Sequence, residues 1–334
     1  MAPILITNFR VHSHYGRYDY IYAYNEKDPD VPWSFLKDMK YVDDWWPKPN
    51  YFKVKQMGED EALTKLNSVF KSSGKKAVMF AIHGYNYDPY DYLRHMKLGN
   101  VNATRNYLYI PIMWNTKRGL TTSLDYRYDR VVTAPRAATQ LAKLESFFSK
   151  VEPKKAWLCH SMGCYVTQFF ASELDSKHPV NAADMFDRIF MVAPDLRYDI
   201  FNEYSIDSGK DRNDCKPDTW NNPNPDIRIP DCRLGGGQAL VKLAKGGVDG
   251  TNELRVLWNP IDRAGIMRQY RLSNDALHTW PLSPLGLLNQ GNESDRPPLA
   301  YFEDKVYFKK VPNVGSEHSF TFWEEFMDYY DDEL

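Results

Sequence analysis

From about residue 77 onward, short apolar runs alternate with segments of helical periodicity. That order confines the chain to an α/β class in which a mostly parallel sheet is wrapped by helices. Residues 77–82, 107–114, 156–159, 189–193, 256–258 and 306–311 read as strands, with Pro111 weakening the second. Residues 128–151 carry Val131, Val132, Leu141, Leu144, Phe147 and Phe148 at helical spacing, and Pro135 predicts a kink or a late start. The helix after Ser161 gathers Met162, Tyr165, Val166, Phe169, Phe170 and Leu174 on one face. The first 76 residues are less regular. Residues 4–11 and 18–24 are expected to pair as an antiparallel hairpin through Gly16 at one sheet edge. A Trp- and Pro-rich connector, VPWSFLKDMKYVDDWWPKPNYF, then leads to a helix over 59–70.

A length of 334 residues allows one large domain or two ordinary ones, and a single domain over 1–334 is expected. Net charge is -2, without the basic excess that neutralising a phosphate backbone requires, so nucleic acid is not expected as a partner. No apolar run is long enough to span a bilayer, and MAPILITNFR is too short for a signal core. The terminal DDEL resembles the KDEL class of retention signals, but without a visible leader it reads as an acidic tail. A soluble intracellular chain is therefore expected, with the endoplasmic-reticulum lumen as the alternative. Cys159 and Cys164 read as small buried hydrophobes, whereas Cys215 and Cys232 lie in a polar loop where a bridge would restrain the segment. No Cys or His spacing matches a zinc site, and neither metal nor cofactor is expected.

The stretch WLCHSMGCYV places His160, Ser161, Met162 and Gly163 between an apolar strand and an apolar helix. A serine at a helix start is commonly only a cap. Here it has small residues two before and two after, Cys159 and Gly163, which a sharp strand-to-helix turn needs because the backbones crowd. Upstream, His83-Gly84-Tyr85-Asn86 follows the strand over 77–82. Attack on an acyl carbon creates an oxyanion that two backbone amides usually meet. The amides of Met162 and, after a turn at Gly84, Tyr85 are the candidate donors.

If the chain order is nucleophile, acid, base, the base follows a late strand, which leaves His278 and His318. His318 is preferred, because it lies between the run VYFKKV and a helix-like segment with Phe320, Trp323, Phe326 and Met327. The acid must end a strand near the base, and both Asp195 and Asp262 qualify.

The motifs HGYN (His83 to Asn86), HSMG (His160 to Gly163) and APD (Ala193 to Asp195), in that order, resemble the α/β-hydrolase superfamily. They look like its branch of uncharacterised domains that carries HGYN, AHSMG and a late acid loop. The resemblance spans about residues 77–330. It implies an eight-stranded sheet with Ser161 as nucleophile, His318 as base and Asp262 as acid, the late-strand position being the commoner one there. Asp195 then becomes a brace beside the site. The segment 205–237 falls after the sixth strand, where the superfamily often inserts a cap, and implies a lid.

These residues point to a serine hydrolase of the esterase, lipase or thioesterase kind, acting on a small acyl ester or lipid-like substrate. A non-catalytic lipid- or partner-binding protein on the same scaffold, and an acyltransferase using the same triad, are the alternatives. Oligomeric state is not legible.

Overall fold

The structure is a computed structural model. It describes residues 4–9, 11–14, 18–22, 31–41, 51–85, 87, 106–116, 126, 128–177, 179–196, 236–245, 253–258, 306–310 and 318. Eleven strands form a single sheet. In chain order they are β1 (Leu5–Thr7), β2 (Val11–His14), β3 (Tyr18–Tyr22), β4 (Ser34–Tyr41), β5 (Tyr51–Met57), β6 (Ala77–Ile82), β7 (Tyr107–Met113), β8 (Lys154–His160), β9 (Arg188–Val192), β10 (Leu254–Trp258) and β11 (Val306–Lys310). Their spatial order is β11-β10-β9-β8-β6-β7-β1-β4-β5-β3-β2. Every pairing from β11 through β1 is parallel, and every one from β1 through β2 is antiparallel.

Six of the seven strands joined by parallel pairings, all but β1, match the six apolar runs. All six residues of β6 are buried, the mark of a strand covered on both faces. Val78, Phe80 and Ile82 join one core cluster, while Ala77, Met79 and Ala81 join the other. Helices α1 (Glu59–Ser73), α2 (Ala134–Leu141), α3 (Glu145–Lys150), α4 (Met162–Lys177), α5 (Pro179–Ala182) and α6 (Gly236–Leu243) all contribute to the first cluster. At its centre Phe80, Phe148, Trp157, Phe170 and Phe186 pack ring against ring, with Trp157 and Phe170 stacked at 5.3 Å. Among the described residues the second cluster is built from strands and the loops beside them.

Pro135 acts as its chemistry requires. It lacks an N–H, and its ring excludes the carbonyl four residues back. The helix therefore opens with a wider turn over Asp129–Thr133, in which the Ala134 N–H donates to the Asp129 carbonyl. Buried Asp129 is held by the hydroxyls of Thr116 at 3.0 Å and Thr133 at 2.9 Å. Its neighbour Arg130 is turned toward the carboxyl edge of the sheet, where it meets Asp195.

The N-terminal region departs from expectation in two ways. Residues 4–11 do not form one strand. The Thr7 hydroxyl donates to the Met113 carbonyl, and the Asn8 side-chain oxygen accepts the Asn115 N–H. The chain is thus tied to the end of β7, and only β2 goes on to pair with β3 at the sheet edge. The supposed connector is partly sheet, because it contains β4 and runs into the start of β5. Pro32 precedes β4, Trp33 donates to the Ala137 carbonyl at 2.9 Å, and Phe35 packs on Phe147 at 4.6 Å. The split of residues 4–11 into β1 and β2, together with β4 and β5, takes the sheet from the expected eight strands to eleven. The segment 205–237, with Cys215 and Cys232, lies outside the described residues.

Candidate active site

The sheet changes winding direction between β6 and β8. From β6 the chain moves to β7 on one side, then returns to β8 on the other. A crevice at such a point, outside the carboxyl ends of the strands, is where open α/β sheets bind ligands. Ser161 follows β8 and His83 follows β6, so both stand at this switch point.

Ser161 is the single residue between β8 and α4, and its φ of +52° is left-handed, which a side-chain-bearing residue adopts at a cost. The turn is pinned on all sides. The Ser161 N–H donates to the Val192 carbonyl at 3.0 Å, and its carbonyl accepts the N–H groups of Cys164 at 3.0 Å and Asp195 at 3.1 Å. Gly163 is required by contact. A Cβ there would lie 2.5 Å from the His83 carbonyl oxygen and 2.9 Å from that of Ile82. Gly84 faces the serine: a Cβ there would lie 2.8 Å from Ser161 Cβ. Its φ is not left-handed, so close approach rather than turn conformation accounts for this glycine. Cys159 and Cys164 are buried and free. Burial pushes the Cys164 thiol far up, which keeps it protonated and suited to packing rather than nucleophilic attack.

His83 fixes the loop after β6. Its Nδ1–H donates to the Gly84 carbonyl at 2.8 Å, its own carbonyl accepts the Trp114 indole N–H at 2.8 Å, and its ring stacks on Trp114 at 5.9 Å. With the Gly84 carbonyl turned to that ring, planarity of the trans peptide sends the Tyr85 N–H the opposite way. His160, the last residue of β8, donates from Nε2 to the His318 carbonyl at 2.8 Å, and the two imidazoles lie 4.8 Å apart. His318 is thereby brought beside the residue that precedes Ser161, across 158 positions of sequence.

Asp195 is buried against a group that sequence reasoning did not select. Arg130 Nη1 lies 3.3 Å from Asp195 Oδ1 and donates to the Asp195 carbonyl at 3.1 Å, while the Tyr126 hydroxyl donates to Oδ2. The Arg130 guanidinium also covers the Tyr165 ring at 3.9 Å, and Tyr126 meets Tyr85 edge to face at 5.4 Å. Arg130, Asp195 and the Ser161 carbonyl thus form one chain of contacts bracing the turn. Nothing in the spacing of residues 126–130 marks this role, because Arg130 sits in an otherwise ordinary amphipathic run. Asp262 and His278 lie outside the described residues. Among the described residues no group of His, Cys, Asp and Glu is arranged to hold a metal ion, and no helix is long and apolar enough to cross a membrane.

Residues 58–218 match the model of a family described as an alpha/beta hydrolase of unknown function (DUF900). The fold is that of an α/β-hydrolase. No curated protein sequence matches the chain. Among solved structures, the chain is similar to one described as LipS and LipT, two metagenome-derived lipolytic enzymes. Identity there is 13%, over 78% of this chain and 95% of that one, with a TM-score of 0.39. YbtT, a type II thioesterase from the yersiniabactin biosynthetic pathway, is similar at 10% identity over 78% of this chain and 92% of its own, with a TM-score of 0.37. Likenesses this distant carry no argument about activity.

Burial also gives this hydrolase fold an acid-sensitive stability. It lowers the His83 pKa from 6.5 to about 4 and, aided by the neighbouring His318, that of His160 to about 3. In the unfolded chain both titrate near the ordinary value, so between that value and the folded ones the unfolded state binds more protons. Stability from these groups is complete above about pH 6.5 and falls as the pH drops toward 4 and 3; for His83 the loss amounts to about 3 kcal/mol. Thermal unfolding followed from pH 7 to pH 4 should show a steadily falling midpoint. A midpoint unchanged over that range would mean that these imidazoles are not buried as described.

Proposed function

We propose that the protein is a serine hydrolase that cleaves carboxylic esters or thioesters through an acyl-enzyme. The observation that carries this reading is a serine held at left-handed φ in a strand-to-helix turn, with an imidazole-bearing segment tied to the residue beside it. In this mechanism Ser161 attacks the acyl carbonyl while His318 takes its proton. The resulting oxyanion is met by the backbone N–H groups of Tyr85 and Met162, the latter at the start of α4 where helix amides lack intrahelical partners. His318 then protonates the leaving group, and the same imidazole activates the water that releases the acid.

Asp262 is the acid that orients His318 in this reading. The carboxylate of Asp195 supports the choice, since it already faces Arg130 and Tyr126 and serves as a brace. Tyr85, Tyr87 and Trp114 give the surroundings an aromatic character that suits an apolar acyl group.

The test is a chain-length series of p-nitrophenyl esters and the matching thioesters, each read beside a Ser161→Ala control. Turnover that vanishes in the control supports the proposal; turnover equal in both ends it. Within the active series, Asp262→Asn is expected to lower kcat by about 10⁴-fold, with Asp195→Asn costing far less. The reverse ranking would move the acid to the earlier loop.

A further inference from the structure

His160 occupies an unusual position for a residue that a hydrolytic mechanism does not need chemically. It ends β8, directly precedes Ser161 and is buried. One side of its ring faces the loop after β6, since Nδ1 would lie 3.1 Å from a Cβ on Gly84. The opposite nitrogen, Nε2, is 2.8 Å from the carbonyl oxygen of His318. A carbonyl only accepts, so the proton resides on Nε2, and the unprotonated Nδ1 is turned to Gly84. The Tyr87 ring meets the imidazole in a T-shaped arrangement, with centroids 6.3 Å apart. A single imidazole therefore joins the three segments the proposed chemistry brings together: Ser161 by the chain, Gly84 by contact and His318 by a hydrogen bond.

We propose that His160 is a positioning residue which sets the proposed base by donating its Nε2–H to the His318 carbonyl. The inference rests on the serine-hydrolase reading and deepens it. Anchoring the carbonyl of His318 restricts the backbone of that residue, and through it the direction of its ring. An anchor on a neighbouring residue would leave that direction freer. The ring is rigid and has a single N–H to offer, so the bond has one geometry. Its neutrality matters as well. When His318 takes the proton from Ser161 it becomes a cation, and a second charge on a ring 4.8 Å away would oppose that step. A lysine or arginine could make the same bond, but only by placing that opposing charge there.

Three substitutions separate this role from simple packing. Glutamine carries an amide N–H near the place of imidazole Nε2, asparagine carries one near Nδ1, and phenylalanine keeps a ring with no donor. The readout is the rate at which a fluorophosphonate probe labels the full chain, measured against probe concentration, with thermal midpoints recorded beside it. For His160→Phe and His160→Asn the saturating rate should fall by about 100-fold while the half-saturating concentration stays unchanged, and His160→Gln should recover most of the rate. Should His160→Phe fail to fold, the comparison of His160→Gln with His160→Asn decides alone. Labelling of His160→Asn at the rate of the unaltered protein, or of His160→Gln as slowly as His160→Asn, would overturn the inference. Absence of labelling in the unaltered protein would remove the serine-hydrolase reading and this role with it. Equal labelling of all variants would remove only the role.

Discussion

Ser161→Ala is expected to reduce ester turnover by about 10⁶-fold while leaving the fold intact, because the nucleophile acts as a unit with its base and its loss removes the whole covalent route. The same position provides an internal check on stability. Its φ of +52° strains any residue with a Cβ, and alanine keeps that strain. Glycine relieves it, so Ser161→Gly should be as inactive as Ser161→Ala yet more resistant to denaturant by about 1 kcal/mol. Loss of turnover with a gain in stability is the signature of a turn kept strained for chemistry. If Ser161→Gly were less stable than Ser161→Ala, the left-handed turn would be wrong. If Ser161→Ala kept its turnover, the nucleophile would lie elsewhere.

Gly163→Ala should instead act on the fold. The added methyl would lie 2.5 Å and 2.9 Å from two carbonyl oxygens at the end of β6, and both are backbone atoms. Neither partner can yield easily. β6 is paired with β7 and β8 along its whole length, and the first turns of α4 are buried throughout. Overpacking against backbone should cost about 3 kcal/mol or more, seen as a lower unfolding midpoint or as loss of soluble protein. An unchanged midpoint would mean that α4 does not start as close to β6 as described. Together the two substitutions separate what the turn does for chemistry from what it does for the fold.

The parallel half of the sheet was legible because its strands are buried on both faces and so appear as uninterrupted apolar runs, as in Ala77–Ile82. Of the antiparallel half, only the edge hairpin of β2 and β3 was. In β4 the pattern is broken between Lys37 and Lys40, where Asp38 takes φ +53° and the register with β5 slips. A Trp- and Pro-rich run with a bulge inside it looks like a connector, and only its packing on α2 and α3 shows otherwise.

Within the candidate site, local order was readable and long-range order was not. HSMG and HGYN announce themselves by spacing because crowding at the turn demands small residues at fixed offsets. Gly84 was selected for the wrong reason: the expectation was a turn, whereas the structure shows Gly84 pressed against Ser161. Arg130 and Tyr126 were missed altogether. Their contact with Asp195 joins residues more than sixty positions apart, and no local pattern encodes it. The bond from His160 to His318 is of the same kind, since each end is an ordinary histidine until the sheet brings them together.

The most direct measurement is intact-mass analysis and peptide mapping after treatment with a fluorophosphonate probe. A single adduct on the peptide containing Ser161, absent in Ser161→Ala and formed much more slowly in His318→Ala, is the predicted result. No adduct on the unaltered protein, or an adduct that survives Ser161→Ala, would contradict it.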